Sequence, residues 1–236
     1  MATRIKTTYV LLHGAWHGGW CWKKVAPALR AAGHDVYTPT LTGLGERAHL
    51  ASPTIDLDTH ISDVVNLIEA EELSEVVLLG HSYGGMVLTG AADRVAPRLR
   101  RLIYLDAFLP EHRKCLLDYL QSDRRATIER GAASGFVDPL PLALFGVTDP
   151  EDLAWAARHE MPQSYATFAQ PVRLTGAGAK LPRTYVYCAK PPTGSFDQFA
   201  ARARTDPAWK FYQLETGHDC MITDPQGVIR ILLDHA

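Results

Sequence analysis

EVVLLGHSYGGMVLTGAADRV, residues 75–95, is the stretch from which the fold can be read. It opens on Val76-Val77-Leu78-Leu79, an apolar run rich in β-branched residues and short enough for a strand buried on both faces. It closes on small and aliphatic residues that predict a helix packed close against a sheet. Gly80-His81-Ser82-Tyr83-Gly84 joins the two, so the pattern G-x-S-x-G falls on a strand-to-helix turn. Glycines at both ends let backbone pass close by, and a strained turn there lifts the Ser82 hydroxyl clear of the sheet as a nucleophile. The bare pattern arises by chance in roughly one chain in ten of this length. A buried strand before it and a helix after it are what make Ser82 a predicted nucleophile.

Working outward, 236 residues suffice for one large core, and 47% apolar with 21% charged residues describes an ordinary globular chain. A formal charge of −2 gives no electrostatic reason to expect nucleic acid or an anionic membrane as partner. No apolar run approaches a membrane span, and residues 1–8 lack the apolar core of a secretory leader. Cys21, Cys115, Cys188 and Cys220 show neither C-x-x-C spacing nor a metal-like grouping, so they read as reduced thiols of a cytoplasmic protein, Cys220 as a packing residue. No cofactor and no metal are expected.

Strand and helix patterns alternate on either side of the central unit. Residues 8–12 read as a buried strand and 21–32 as a helix capped by Gly33. Residues 35–38 form the next strand, 56–70 a helix and 101–106 another strand. This predicts an α/β fold, a mostly parallel sheet covered by helices on both faces. After Pro110 the alternation stops. Residues 111–180 hold helical stretches near 115–120 and 152–159, proline-rich connections and no clear buried strand. They are read as a small, mainly helical lid, leaving 1–110 and 181–236 as the core. Alternation resumes with a strand at 183–188, a helix near 196–204, a strand at 210–214 and a last helix near 225–235.

A serine hydroxyl needs a base, and the base needs a group that orients it. In chain order the base of such an elbow comes last, after the final strand. His218 stands there, while His235 reads as a surface residue of the last helix. For the acid, the segment after strand 183–188 holds no carboxylate. Asp106, at the end of strand 101–106, is preferred, with Asp197 and Asp219 as alternatives. The oxyanion donors are expected at the N–H groups of Tyr83, next to the nucleophile, and Ala15, in the loop after the first strand. His13, His17 and His81 are expected to shape loops by local hydrogen bonds. Neither a G-x-G-x-x-G after the first strand, a P-loop lysine nor H-E-x-x-H occurs.

The motifs LHGAWHGGWCW (residues 12–22), GHSYGG (80–85), FLP (108–110) and Gly217-His218 resemble the α/β-hydrolase superfamily, in the branch of plant methylesterases and hydroxynitrile lyases with their bacterial relatives. The resemblance covers essentially the whole chain. It implies a nucleophile at Ser82, a base at His218, oxyanion donors at Ala15 and Tyr83, and a lid over an apolar pocket. The lyases of this branch carry threonine after the first-loop histidine and lysine after the catalytic histidine; here these are Gly14 and Asp219. An acid at Asp106 resembles an arrangement found elsewhere in the superfamily, including cofactor-free dioxygenases.

The expected activity is therefore a serine esterase acting on a small carboxylic ester, lactone or carbamate with an apolar or aromatic group. Trp16, Phe108, Phe136, Leu140, Phe145, Trp155 and Phe168 are the candidate pocket residues. The rival readings are a lyase or dioxygenase on the same scaffold and a noncatalytic binder of a small apolar ligand. A homodimer built through a helix is left open.

Overall fold

The computed structural model describes residues 6–236. The leader reading therefore falls largely on residues 1–5, outside the described residues. The strands are β1 (Thr8–Leu12), β2 (Asp35–Tyr37), β3 (Val76–His81), β4 (Leu99–Leu105), β5 (Phe136–Val137), β6 (Gln163–Ser164), β7 (Arg183–Cys188) and β8 (Trp209–Leu214). Six of them form one sheet in the order β2-β1-β3-β4-β7-β8, every neighbouring pair parallel.

Because side chains alternate along a strand, the sheet divides the core in two. Val76 and Leu78 of β3, with Val10 and Leu12 of β1, pack with α2 (Leu57–Ala70) and α3 (Gly84–Val95). Val77 and Leu79, with Tyr9 and Leu11, face α1 (Ala26–Ala31) and the C-terminal α9 (Pro225–Leu233). Each such fully buried aliphatic side chain contributes about 1.5–3 kcal/mol. The register aligns the carboxyl ends: Leu12 lies beside Gly80 and His81 beside Leu105. Whatever follows β1, β3 and β4 therefore emerges at one edge of the sheet, where the strand order reverses around β1 and β3.

Between β4 and β7 lie α4 (Ser122–Glu129), α5 (Pro150–Ala157) and α6 (Ala166–Ala169), with short 3-10 turns. Here the structure adds what the sequence pattern did not show. β5 and β6 pair antiparallel, Phe136 opposite Ser164. Two residues are too few to display a period of two. Elsewhere two expectations are corrected. The helix expected over 21–32 is a 3-10 turn, Gly19–Lys24, followed by α1, with Pro27 in the first turn of α1 where its missing N–H costs nothing. His235 lies beyond the end of α9 and is buried, its ring edge-on to Tyr212 and its Nε2 3.3 Å from Thr184 Oγ1, rather than on the surface. The remaining helices are α7 (Asp197–Thr205) and α8 (Cys220–Thr223).

Candidate active site

Ser82 occupies the turn between β3 and α3 with φ 54°, in the left-handed region. Its carbonyl accepts from the N–H groups of Gly85 (3.0 Å) and Phe108 (3.2 Å), which hold the turn in place. A Cβ on Gly80 would collide with the Gly84 carbonyl, and one on Gly85 with the Phe108 carbonyl. Both glycines are therefore conditions of the turn. Trp16 (φ 65°) and Asp106 (φ 42°) share the left-handed conformation, so strain of about 1–3 kcal/mol apiece gathers at this edge.

His218 follows β8, and its Nδ1–H donates to Asp106 Oδ2 at 2.7 Å. Asp106 ends β4 and is 1% exposed. Its other oxygen accepts from the Cys188 N–H at 3.2 Å, and its own N–H donates to the Val186 carbonyl at 2.7 Å. Burial raises the Asp106 carboxyl above the usual range, partly offset by the His218 hydrogen bond and charge. The imidazole is clamped between rings: Phe196 stacks on it at 4.7 Å and 10°, and Phe145 lies at 5.2 Å. Asp197 lies elsewhere, on the outside of α7, accepting from the Tyr187 hydroxyl at 2.7 Å.

Ser82 and His218 border one cavity of about 410 Å³, its mouth included. Ala15, Trp16 and Tyr83 form part of its wall, as do Phe108, Leu140, Phe145 and Phe168. Neither the Ala15 nor the Tyr83 N–H has a backbone acceptor among the described residues. Two expected wall residues are not in it. Phe136, on β5, borders a separate small pocket beside Thr42 and His60. Trp155 packs edge-on against Trp20 at 5.2 Å, on the α1 side of the sheet. Six residues enter the wall unannounced: Leu116, Leu120, Arg124, Ile128, Ser195 and Phe196. Of these, only Leu116 and Leu120 fell in a lid stretch read from the sequence as helical, four residues apart on one face.

Behind His218 lies a second polar cluster. His13 shapes the loop as expected, its Nδ1–H donating to Gly14 O at 2.8 Å and its Nε2 accepting from Leu41 N–H at 3.1 Å. His17 and His81 do more. Asp219, fully buried, sits 3.5 Å from His17 Nε2, too far for a good hydrogen bond but close enough for charge pairing, and 3.8 Å from His81 Nε2, an imidazole that burial keeps neutral. Burial opposes a charge on His17, yet the Asp219 carboxylate wins and raises it to about 9. Burial would raise Asp219, and His17 holds it below the usual range. Asp219 is thus the counter-ion of His17, not the partner of His218 Nδ1. Ligand-type atoms of His81, His218 and Asp219 lie within 4.8 Å of one another. His218 Nδ1 is bonded to Asp106 and His81 Nε2–H to the His218 carbonyl at 3.0 Å, so the grouping is already hydrogen-bonded for another purpose.

A parallel sheet with a serine turn after its central strand and a buried His–Asp couple beside it defines a class of protein. Residues 9–231 match the model of the alpha/beta hydrolase family, and the chain belongs to that family. It is an enzyme of the esterase-type hydrolases. It is similar to the carbendazim hydrolyzing esterase of Nocardioides sp. (strain SG-4G), 44% identical over 230 residues, with 92% of this chain and 94% of that one covered. It is also similar to salicylic acid-binding protein 2 of Nicotiana tabacum, 31% identical over 175 residues, covering 66% and 67%. An extracellular alpha/beta-hydrolase from a Paenibacillus species superimposes with a TM-score of 0.84 at 23% identity over 97% and 98% of the two chains, a likeness of fold.

Proposed function

We propose that the protein hydrolyses a small carboxylic ester, or a related lactone or carbamate, through an acyl-enzyme on Ser82. Ser82 attacks the carbonyl carbon while His218 Nε2 takes the hydroxyl proton, and Asp106 orients the imidazole and stabilises its charge. The N–H groups of Ala15 and Tyr83 hold the tetrahedral oxyanion. His218 then protonates the departing alcohol, and water, deprotonated by the same imidazole, releases the acid. The observation that carries this reading is the 2.7 Å Asp106–His218 couple on a cavity that Ser82 also borders.

Residues 111–180 act as the lid in this reading, and Trp16, Phe108, Leu140, Phe145 and Phe168 receive the apolar or aromatic part of the substrate. Kinship with the Nocardioides carbendazim hydrolyzing esterase extends the candidate substrates to compounds of that kind. A carboxylate at the position after His218 favours hydrolysis over cyanide release, for which the lyases' lysine holds the anion. We place the protein in the cytoplasm, acting on a small molecule and not on nucleic acid or a membrane; no helix among the described residues is long and apolar enough to span one.

The test is hydrolysis of aryl and methyl esters with short and aromatic acyl groups by the native protein and Ser82→Ala. Turnover that vanishes in the variant supports the mechanism. Turnover that survives excludes it.

A further inference from the structure

Ser82 and His218 account for two of the polar side chains around the cavity, and the proposed hydrolysis uses both. Two more polar side chains border it with nothing assigned to them, Arg124 and Ser195.

Arg124 stands in α4, whose two faces differ. On the outer face Arg125 donates to Glu129 at 2.8 Å, an i, i+4 pair. On the inner face Arg124 and Ile128, also four apart, both border the cavity, and Ile128 is 2% exposed. Other arginines have carboxylate partners: Arg47 with Asp63, Arg94 with Asp58, Arg202 with Glu111. Arg124 makes no hydrogen bond or ion pair among the described residues. Its wall neighbours are apolar, Leu116, Leu120 and Ile128, and burial alone lowers its affinity for its proton, with no carboxylate to offset that. Ser195, 9% exposed, likewise has a hydroxyl bonded to no group among the described residues. A half-buried guanidinium without a counter-ion is costly. A planar fork of N–H donors in that state best fits a carboxylate, which it can bind through two parallel hydrogen bonds.

We propose that Arg124 is a specificity residue that recognises a carboxylate on the substrate, away from the scissile bond, with Ser195 as a second free donor on the same cavity. The preferred substrate is then a half-ester of a dicarboxylic acid or an ester of similar shape and charge. This rests on the esterase reading for the reaction, but not for the binding.

The experiment therefore measures binding first. Calorimetry on Ser82→Ala compares monomethyl terephthalate with methyl 4-methylbenzoate, which differ in one carboxylate. The same pair is measured with Arg124→Met and Arg124→Lys added. The half-ester is expected to bind at least about 10-fold tighter, the range of a charge-assisted hydrogen bond. The preference should disappear in Arg124→Met and survive in part in Arg124→Lys. In hydrolysis by the protein with Ser82 intact, the same preference should appear mainly in KM. Equal affinities, no measurable half-ester binding, or a preference that persists in Arg124→Met overturns the proposal. A carboxylate preference in binding with neither ester hydrolysed supports Arg124 and counts against the esterase mechanism alone.

Discussion

Asp106 and Asp197 show how little a carboxylate's identity says before its surroundings are known. Both follow an apolar residue, Leu105 and Phe196, yet one is buried against an imidazole at 2.7 Å and the other faces outward beneath a tyrosine hydroxyl. An asparagine at 106 keeps the shape but can no longer balance the imidazolium charge. Asp106→Asn should lower kcat by about 10³-fold or more, and Ser82→Ala by at least as much. Asp197→Asn should change kcat by less than about threefold, since an exposed hydrogen bond contributes little. Steady-state hydrolysis of one ester by the three variants checks this, and equal losses at 106 and 197 would contradict it. As candidates, Ser82 was legible from its glycines and the strand and helix on either side, and His218 from its place after the last strand. Asp106 was legible only as one of several candidates, because its partner lies 112 residues away and is met across the register of β4 and β7.

Among elements, two junctions hold the site together. The β1 loop is tied to the segment over the cavity by Trp16, whose N–H donates to Gln163 Oε1 and whose indole donates to Val137 O, each at 3.0 Å. Gln163 is 1% exposed and also donates to Thr167 Oγ1 at 2.7 Å. Gln163→Ala leaves the Trp16 N–H orphaned in the interior and should lower unfolding free energy by about 1–3 kcal/mol. A urea midpoint unmoved by the change would count against this tie. The second junction is the buried His17–Asp219 pair, which joins the β1 loop to the start of α8. Removing one member strands the other, so Asp219→Asn should cost about 3–5 kcal/mol. Replacing both by apolar residues should recover much of that loss. A double variant no more stable than Asp219→Asn would show that the pair is not an isolated charge couple. The β5–β6 ladder and this pair were invisible in the sequence, being made of two-residue strands and of histidines whose local loop-shaping explanation was sufficient by itself.

At the scale of the whole molecule, the buried histidines set the dependence of stability on pH. Burial holds His13 at about 3, and His60 and His235 at about 4, all below the ordinary 6.5. The unfolded chain therefore takes up protons that the native chain refuses, and the stability they confer above 6.5 is lost as pH falls toward those values. Glu160 runs the other way: burial raises it from 4.5 to about 7, so between those values the native chain holds a proton that the unfolded chain has released. His81 is lowered by burial as well, and Asp106 is raised like Glu160; four histidines against two carboxyls leave acid destabilising. On the alkaline side His17, raised to about 9, stabilises fully below 6.5 and loses its contribution as pH rises through 9. Tm should be highest near neutrality, fall from pH 6.5 to 4.5, and fall again toward pH 9. Thermal unfolding monitored by circular dichroism measures this, and a Tm that is flat or rises toward pH 4.5 would overturn it.

Sequence alone determined what is local in this protein. The periods of the apolar residues name the strands and helices, the glycines around Ser82 specify the sharp turn, and the alternation of elements implies a parallel sheet covered on both faces. These depend on interactions within a few residues or on the handedness and reach of short connections. Only the tertiary structure decided which acid meets His218, which side chains border the cavity, that Phe136 and Trp155 do not, and that Arg124 faces inward while Arg125 faces out. Those outcomes depend on strand register and on how the residues between β4 and β7 settle over the sheet. Packing between distant segments sets both, and no short stretch of sequence encodes it.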